Sequence, residues 1–386
     1  MKNKRRVLVL LLLVMSLSLS GCWSYKTLEH LSYIHSIGID YRDGKFFIYA
    51  QFPNFTLLSK VEGAGQSENA TPIFVGKGVG ETFNMALYDL YHTMQRRLFW
   101  SHLTTIVMTE ATMKMEVDQI LDLFQRFGEY RPTFWVYITD ENLEDIFLST
   151  HVFDSSPVFS KLGDPIDMNR QDSYPVLPQR MFRYMAMQRE PAHTMIVPSL
   201  GSTKTRWFDE NRKYRVMHFD GYTIFKNKKW KGRLSYDEAQ GLLWLNPDLV
   251  RSPLTIKLNK KSVFTIVILK PDVKIIPILK PDRVQFALKI RLKGHVTQLS
   301  GVRDEKRLVE AAINQIKKQI RLTYNKGLEI DADVLNLSDS VYRKHPQAWK
   351  KFAKNNELPL QEDTLADVKV HLEVMHYGKK LHFDQK

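Results

Sequence analysis

The 386-residue chain has one cysteine, Cys22, so no intramolecular disulfide can hold it together. It has no HExxH helix and no GxSxG elbow, which removes the usual metallohydrolase and serine-hydrolase signatures. After residue 20 no segment is apolar for the roughly 20 residues that a transmembrane helix needs. Formal net charge is +14, yet the lysines and arginines are spread along the chain and form no basic helix or nucleic-acid module, so nucleic acid is not an expected partner. Whatever holds the fold must be an ordinary hydrophobic core, and 44% apolar with 25% charged residues is enough to build one.

The first residues are distinctive. Lys2, Lys4, Arg5 and Arg6 precede an uncharged run from Val7 to Leu19, and the run ends in Leu19-Ser20-Gly21-Cys22. Charged start, short apolar run and small residues before the cut are the layout of a secretory leader, here with a bacterial lipobox. The expectation is a signal peptide over residues 1–21 and a diacylglyceryl group on Cys22, the new N-terminus. Two acyl chains anchor stably where one binds only reversibly, at roughly 0.8 kcal/mol per buried CH₂. A basic protein held there would also be drawn to anionic lipid.

Beyond the leader, alternation over Ile34 to Asp40 and Lys45 to Phe52 around Asp43-Gly44 predicts a hairpin. A polar stretch at 62–71 reads as a loop, and a short strand is expected at Pro72 to Val75. Helical stripes follow at Phe83, Leu87, Leu90, Tyr91, Met94, Leu98 and at Val117, Ile120, Leu121, Phe124, Phe127, with strands at 103–108 and 133–139 between and after them. Leu143 to Leu148 reads as a short helix. Strand and helix in alternation imply a sheet with helices packed on it. From about 151 to 212 prolines accumulate, which predicts irregular structure and a connection between domains. A second unit starts near Tyr214 with a hairpin over 217–226 and 230–234. A helix is expected after the capping box Ser235-Tyr236-Asp237-Glu238. Strands at 254–258, 263–269 and 284–292, a long helix from Glu305 to Tyr324 and a last strand at 368–374 complete it. On that helix Leu308, Ala312, Ile316, Ile320 and Tyr324 form one stripe, with Lys317, Lys318 and Arg321 off it. The fold class expected is α+β, or mixed α/β, in two to three domains of mixed sheet with packed helices. Residues 22–205 form the N-terminal domain, divisible into two subdomains, and 214–386 the C-terminal one.

Chemistry is harder to find. Gly76-Lys77-Gly78-Val79-Gly80 follows a strand and precedes a helix, but it is GxGxG with no acidic residue about 20 positions on, so a flexible turn explains it better than a dinucleotide loop. His371 and His376 are separated by an odd number on a strand and point to opposite faces. Asp331 and Asp333 share a face or turn but lack the remaining oxygen ligands of a calcium loop. His102, between apolar neighbours, reads as a hydrogen-bonded structural imidazole. No catalytic, cofactor or metal residue is expected.

With these segments in place the sequence resembles the Ger(x)C family of spore germination lipoproteins, the C subunits of nutrient germinant receptors. The resemblance is carried by LSGCW at 19–23, SIGID at 36–40, QRRLFWSHL at 95–103 and RPTFWVYIT at 131–139. It continues through FDGYTIFKNKKWKGRL at 219–234, DADVLNLSD at 331–339 and the region from Trp349 onward. Ser24 stands where the family often has an acidic residue and Ser101 where it often has glycine; neither touches lipidation. The resemblance implies a non-enzymatic protein on the outer face of the spore inner membrane, held by membrane lipid through Cys22. Its implied partners are a polytopic A subunit and a transporter-like B subunit, to which nutrient recognition is usually assigned. The alternatives are an independent lipid-anchored solute-binding protein, which would need a deep cleft between lobes, and an envelope hydrolase.

Both cleavage and acylation need the Cys22 thiol. Cys22→Ala should therefore leave an unprocessed precursor that takes up no labelled palmitate; palmitate in that variant, or normal processing, would contradict the lipobox reading.

Overall fold

The computed structural model describes residues 31–54, 73–115, 131–149, 160–166, 174–210, 212–258, 263–300 and 304–376, with Arg5 and Arg126 besides. The leader, Cys22, the 62–71 stretch and the stripe from Val117 to Phe127, all expected from sequence, lie outside the described residues.

In chain order the first elements are β1 (Leu31–Tyr33), β2 (Ser36–Arg42), β3 (Lys45–Pro53), β4 (Ile73–Gly80), α1 (Phe83–Thr93), β5 (Arg97–Phe99), β6 (Thr105–Thr109) and α2 (Glu110–Met113). They are followed by β7 (Trp135–Thr139), α3 (Leu143–Phe147), α4 (Met181–Met187), β8 (Met195–Phe208), β9 (Lys213–Lys226) and β10 (Lys229–Ser235). Eight of the strands make one sheet in the order β10-β9-β8-β7-β6-β2-β3-β4, while β1 and β5 pair separately. Neighbours among β2, β6, β7 and β8 run parallel, with an antiparallel hairpin added at each edge. Parallel strands need cover on both faces, and β7 is buried along its whole length. Val136 and Ile138 join a core under α1 and α4. Trp135 and Tyr137 face the opposite core, built with α3.

The first hairpin forms as read. Asp43 and Gly44 have φ of 52° and 73°, the left-handed pair that a two-residue turn between twisted strands requires. The glycine motif does not. Gly76, Gly78 and Gly80 lie within β4 and not in a turn: that strand runs to residue 80, against β3. A Cβ on Gly78 would stand 2.1 Å from the Ala86 carbonyl oxygen, and one on Gly80 would stand 2.4 Å from the Ala86 amide nitrogen. The glycines let α1 lie against the strand backbone. Structure between 174 and 210 is also more regular than the prolines suggest, because it contains α4 and the 14-residue β8. Pro198 is accommodated where β8 meets β7 through a single registered pair, Ile138 with Ser199.

The hairpin expected to open the second unit is present, but β9 and β10 hydrogen-bond into the eight-stranded sheet. After Ser235 the capping box forms, with the Glu238 amide donating to Ser235 Oγ (3.3 Å) and the Ser235 amide to Glu238 Oε2 (3.0 Å). It leads into turns and a 3₁₀ helix at Gln240–Leu245, not an α-helix. Gly241 sits against the carbonyl of Gln319, and its amide donates to Thr323 Oγ1 at 2.9 Å, so this segment is shaped by its neighbour.

That neighbour is α5 (Glu305–Glu329), laid on a sheet of β11 (Arg251–Lys257), β12 (Val263–Leu269), β13 (Asp272–Leu279), β14 (Val284–Ser300) and β15 (Leu365–His376). β13 was not foreseen, and neither were α6 (Leu337–Lys344) and α7 (Pro346–Phe352). β14 and β15 run parallel; β11, β12 and β13 join antiparallel. The expected stripe is the buried one: Leu308, Ala312, Ile316, Ile320 and Tyr324 all enter the core beside Phe264, Phe286 and Leu288. Lys318 and Arg321 are exposed, while Lys317 is half-buried.

Ile316 has no exposed surface. Ile316→Asp should lower unfolding stability by more than about 3 kcal/mol, because an unpaired carboxylate would enter that core. Lys318→Asp should stay within about 0.5 kcal/mol of the parent. Urea melts of both variants check the assignment, and equal midpoints would refute it.

Candidate functional site: the cavity at the seam between the sheets

Side chains alternate along a strand, so Tyr222, Ile224 and Lys226 share one face of β9. Tyr222 and Ile224 are fully buried in the same core as α5, and the strand carries Lys226 in after them, to 3% exposure. The chain then turns back at Asn227 and Lys228, with φ of 48° and 64°. Asn227 Nδ2 donates across the seam to Glu357 Oε1 at 2.6 Å and to the Asn355 carbonyl at 3.2 Å.

The opposite wall begins where α5 ends. Asp331 takes a left-handed φ of 51°, its amide donates to the Leu328 carbonyl (3.1 Å), and the Ala332 amide donates to that of Gly327 (2.9 Å). This is a Schellman closure with Asp in the usual glycine place. Asp333 then receives the amides of Leu337 on Oδ1 (3.0 Å) and of Ser338 on Oδ2 (2.7 Å), capping α6. Asn336 reaches back to the first sheet: Oδ1 accepts from the Thr194 amide (2.7 Å), and Nδ2 donates to its carbonyl (3.3 Å). Lys231 pairs with Asp331 at 2.6 Å, and Arg343 with Glu190 at 2.6 Å.

Between these walls lies a cavity of about 300 Å³, at the low end for small-molecule sites. Lys226, Asp331, Asp333, Ser338, Lys354 and Glu357 supply its polar lining, while Leu328, Ala332, Leu358, Pro359 and Leu360 supply the apolar part. The Lys226 Nζ has no hydrogen-bonding partner among the described residues. Burial pushes its pKa below the ordinary lysine value, opposed by Asp333, Glu357 and Asp331, with Lys231 adding to the depression. His193 nearby is lowered as well, mainly by burial.

The residues that the sequence offered for chemistry fall elsewhere or serve other ends. Cys22 is outside the described residues. Asp331 and Asp333 do line the cavity, but they terminate one helix and start the next, and Asp333 has both oxygens engaged. His102, read as a hydrogen-bonded structural imidazole, is exposed and meets the ring of Tyr33 edge-on at 4.9 Å. His371 is exposed on β15. Lys226 was missed. The signal that could have found it is the alternation itself, which puts a lysine in register with a tyrosine and an isoleucine.

These features define an α+β protein with two main sheets and a small β1–β5 pair, whose two units meet at a small, polar-lined cavity. Residues 24–202 match the family described as spore germination protein N-terminal domain, and residues 220–378 match the one described as spore germination B3/GerAC like, C-terminal. The chain belongs to the Ger(x)C family of spore germination proteins. It is 23% identical to spore germination protein KC of Bacillus subtilis (strain 168), over 97% of this chain and 96% of that protein. It is also 23% identical to spore germination protein A3 of the same organism, over 97% and 99%. A crystal structure of the GerBC protein superposes with a TM-score of 0.50 at 18% identity, covering 88% of this chain and 96% of that one, and shares the fold.

Because the folded chain holds Lys226 below its unfolded value of about 10.4, the unfolded chain binds more protons between the two values, and stability rises with pH across that window. Below it the buried charge is a burden, so Lys226→Met should raise the melting midpoint at pH 7 by on the order of 2 °C. The gain over the parent should shrink as pH climbs toward 10.4. A loss of stability at pH 7, or a gain that does not vary with pH, would mean that the ammonium is compensated in the fold.

Proposed function

We propose that this protein is a lipid-anchored, non-enzymatic subunit of a spore nutrient germinant receptor, needed to assemble the receptor or to couple its signal. The observation that carries the reading is the family match, which takes in 24–202 and 220–378 and so leaves little of the chain outside it. Relatives named as germination proteins align over nearly their whole length. The lipobox supports an anchor on Cys22 and a place on the outer face of the spore inner membrane, beside a polytopic A subunit and a transporter-like B subunit. Membrane confinement raises effective concentration near such partners to the order of millimolar, so that weak contacts persist. No helix among the described residues is long and apolar enough to cross a membrane, and attachment in this reading rests on the lipid alone. The N-terminal domain would be 22–205 and the C-terminal one 214–386, with β9 and β10 shared between them. The second reading, a lipoprotein that binds a solute by itself, draws on the seam cavity.

Spores lacking the protein should lose the response to one set of nutrients and still germinate by a route that bypasses receptors. A version without residues 1–22 should complement poorly. Nutrient-triggered germination of deletion, parent and anchorless strains tests this; full response in the deletion strain, with no redundant receptor present, would remove the receptor-subunit reading.

A further inference from the structure

The parallel strands β2, β6 and β7 start in one row, with Ser36, Thr105 and Trp135 in register. The described chain also begins at this end of the sheet, since β1 leads into β2 and pairs Leu31 with Arg97 of β5. β4 starts there with Phe74 opposite Phe52, and α4 is tied to it by the Phe182 amide, which donates to the Pro132 carbonyl at 3.0 Å. The stretches that make this end, 31–36, 51–54, 73–76, 92–104, 131–135 and 177–184, contain no Asp or Glu. They carry Arg96, Arg97, Arg131 and Arg183, all exposed and none in an ion pair among the described residues. Arg180 is already used: its guanidinium lies 3.6 Å over the Trp135 ring, donates to the Thr133 carbonyl and feels the charge of Asp164. Glu190, further along the edge, is paired with Arg343. Phe74 and Phe182 stand at the same end, 55% and 46% exposed.

Cys22 lies nine residues before Leu31, a span of at most roughly 30 Å when fully extended. The other end of the sheet, the β8–β9 hairpin with Phe208 at 72% exposure, is on the order of 40 Å from the Ser36 row along the strands. A tether at Cys22 therefore holds the acid-free end, and not the hairpin tip, next to the bilayer. Anionic leaflets attract arginines near their surface, guanidinium forks match lipid phosphates, and aromatic rings settle at the boundary between headgroups and acyl chains. We propose that this end of the first sheet is a docking surface for an anionic bilayer, with Arg96, Arg97, Arg131 and Arg183 on lipid phosphates and Phe74 and Phe182 at the headgroup boundary. The proposal rests on the lipid-anchored reading for the presence of the bilayer and adds an orientation to it, with the β8–β9 hairpin directed away from the membrane.

The test uses the chain from residue 22 onward with Cys22→Ser, so that no lipid can be attached; every described strand and all three cores lie within it. It is floated with vesicles of phosphatidylglycerol or of phosphatidylcholine at about 0.1 M salt. Half of the protein should bind at on the order of 1 mM accessible phosphatidylglycerol, and phosphatidylcholine should bind at least about tenfold more weakly. Arg97→Glu with Arg183→Glu should weaken phosphatidylglycerol binding at least about tenfold. Lys204→Glu with Arg206→Glu, the same charge change on exposed residues of the β8–β9 hairpin, should weaken it less than about threefold. The lipid comparison needs no variant, so it decides even if a charge reversal folds badly. No binding to phosphatidylglycerol up to about 10 mM, equal binding to the two lipids, or equal losses in the two double variants would each overturn the proposal. Palmitate labelling of Cys22 in the parent reports separately on the anchor, so the docking surface can fail while the anchored reading stands, and the reverse.

Discussion

The structure depends on one two-sided pair of strands. β9 and β10 are hydrogen-bonded into the first sheet, while Tyr222, Ile224 and Leu234 from them are buried in the core that α5 and the second sheet complete. Phe225, one residue away, faces the other way into the core beneath α1 and α4. In a chain without a disulfide, burial of this kind is the main tie between two units, and residues removed from water on both faces cannot be exposed by parting the units without large cost. The polar ties at the rim, from Asn336 to Thr194 and from Asn227 to Glu357, then set the register of the contact more than its strength.

The legible parts of the fold were those where local pattern and burial agree. The α5 stripe was readable because 3.6-residue periodicity is sustained over many turns and its buried face is uninterrupted. The first hairpin was readable because Asp-Gly supplies two left-handed positions in sequence. What escaped has a physical reason each time. β8 mixes Pro198, Ser199, Gly201 and Ser202 with its apolar residues, and its order comes from two neighbouring strands and not from its own propensity. The strand glycines of β4 looked like a loop because close helix packing and loop flexibility both call for residues without side chains. The 3₁₀ segment after Ser235 began with a sound helix start, yet contact with α5 overrode it.

The acidic segment 331–339 shows how a motif can mislead about chemistry. Three aspartates within nine residues suggest cation binding, but each has a mechanical role in the fold. Asp331 closes α5, Asp333 opens α6, and Asp339 holds Arg343 at 2.8 and 2.9 Å. Asn336 between them takes a left-handed φ of 52° and turns its amide to the first sheet. Caps of this kind contribute about 1 kcal/mol apiece, so the whole corner is worth a few kcal/mol of helix placement. That is a sufficient reason for a sequence rich in Asp and Asn at this point, without any ligand.

Lys226 resists the same treatment. A strand ending one residue earlier would leave the lysine in solvent, and a methionine at that position would keep the packing without the burden of a buried charge. The fold instead places an ammonium beside carboxylates that are already engaged, at the point where the two units meet. Stability alone gives no reason for that choice. The more conspicuous aspartates hold the corner together, whereas Lys226 burdens it.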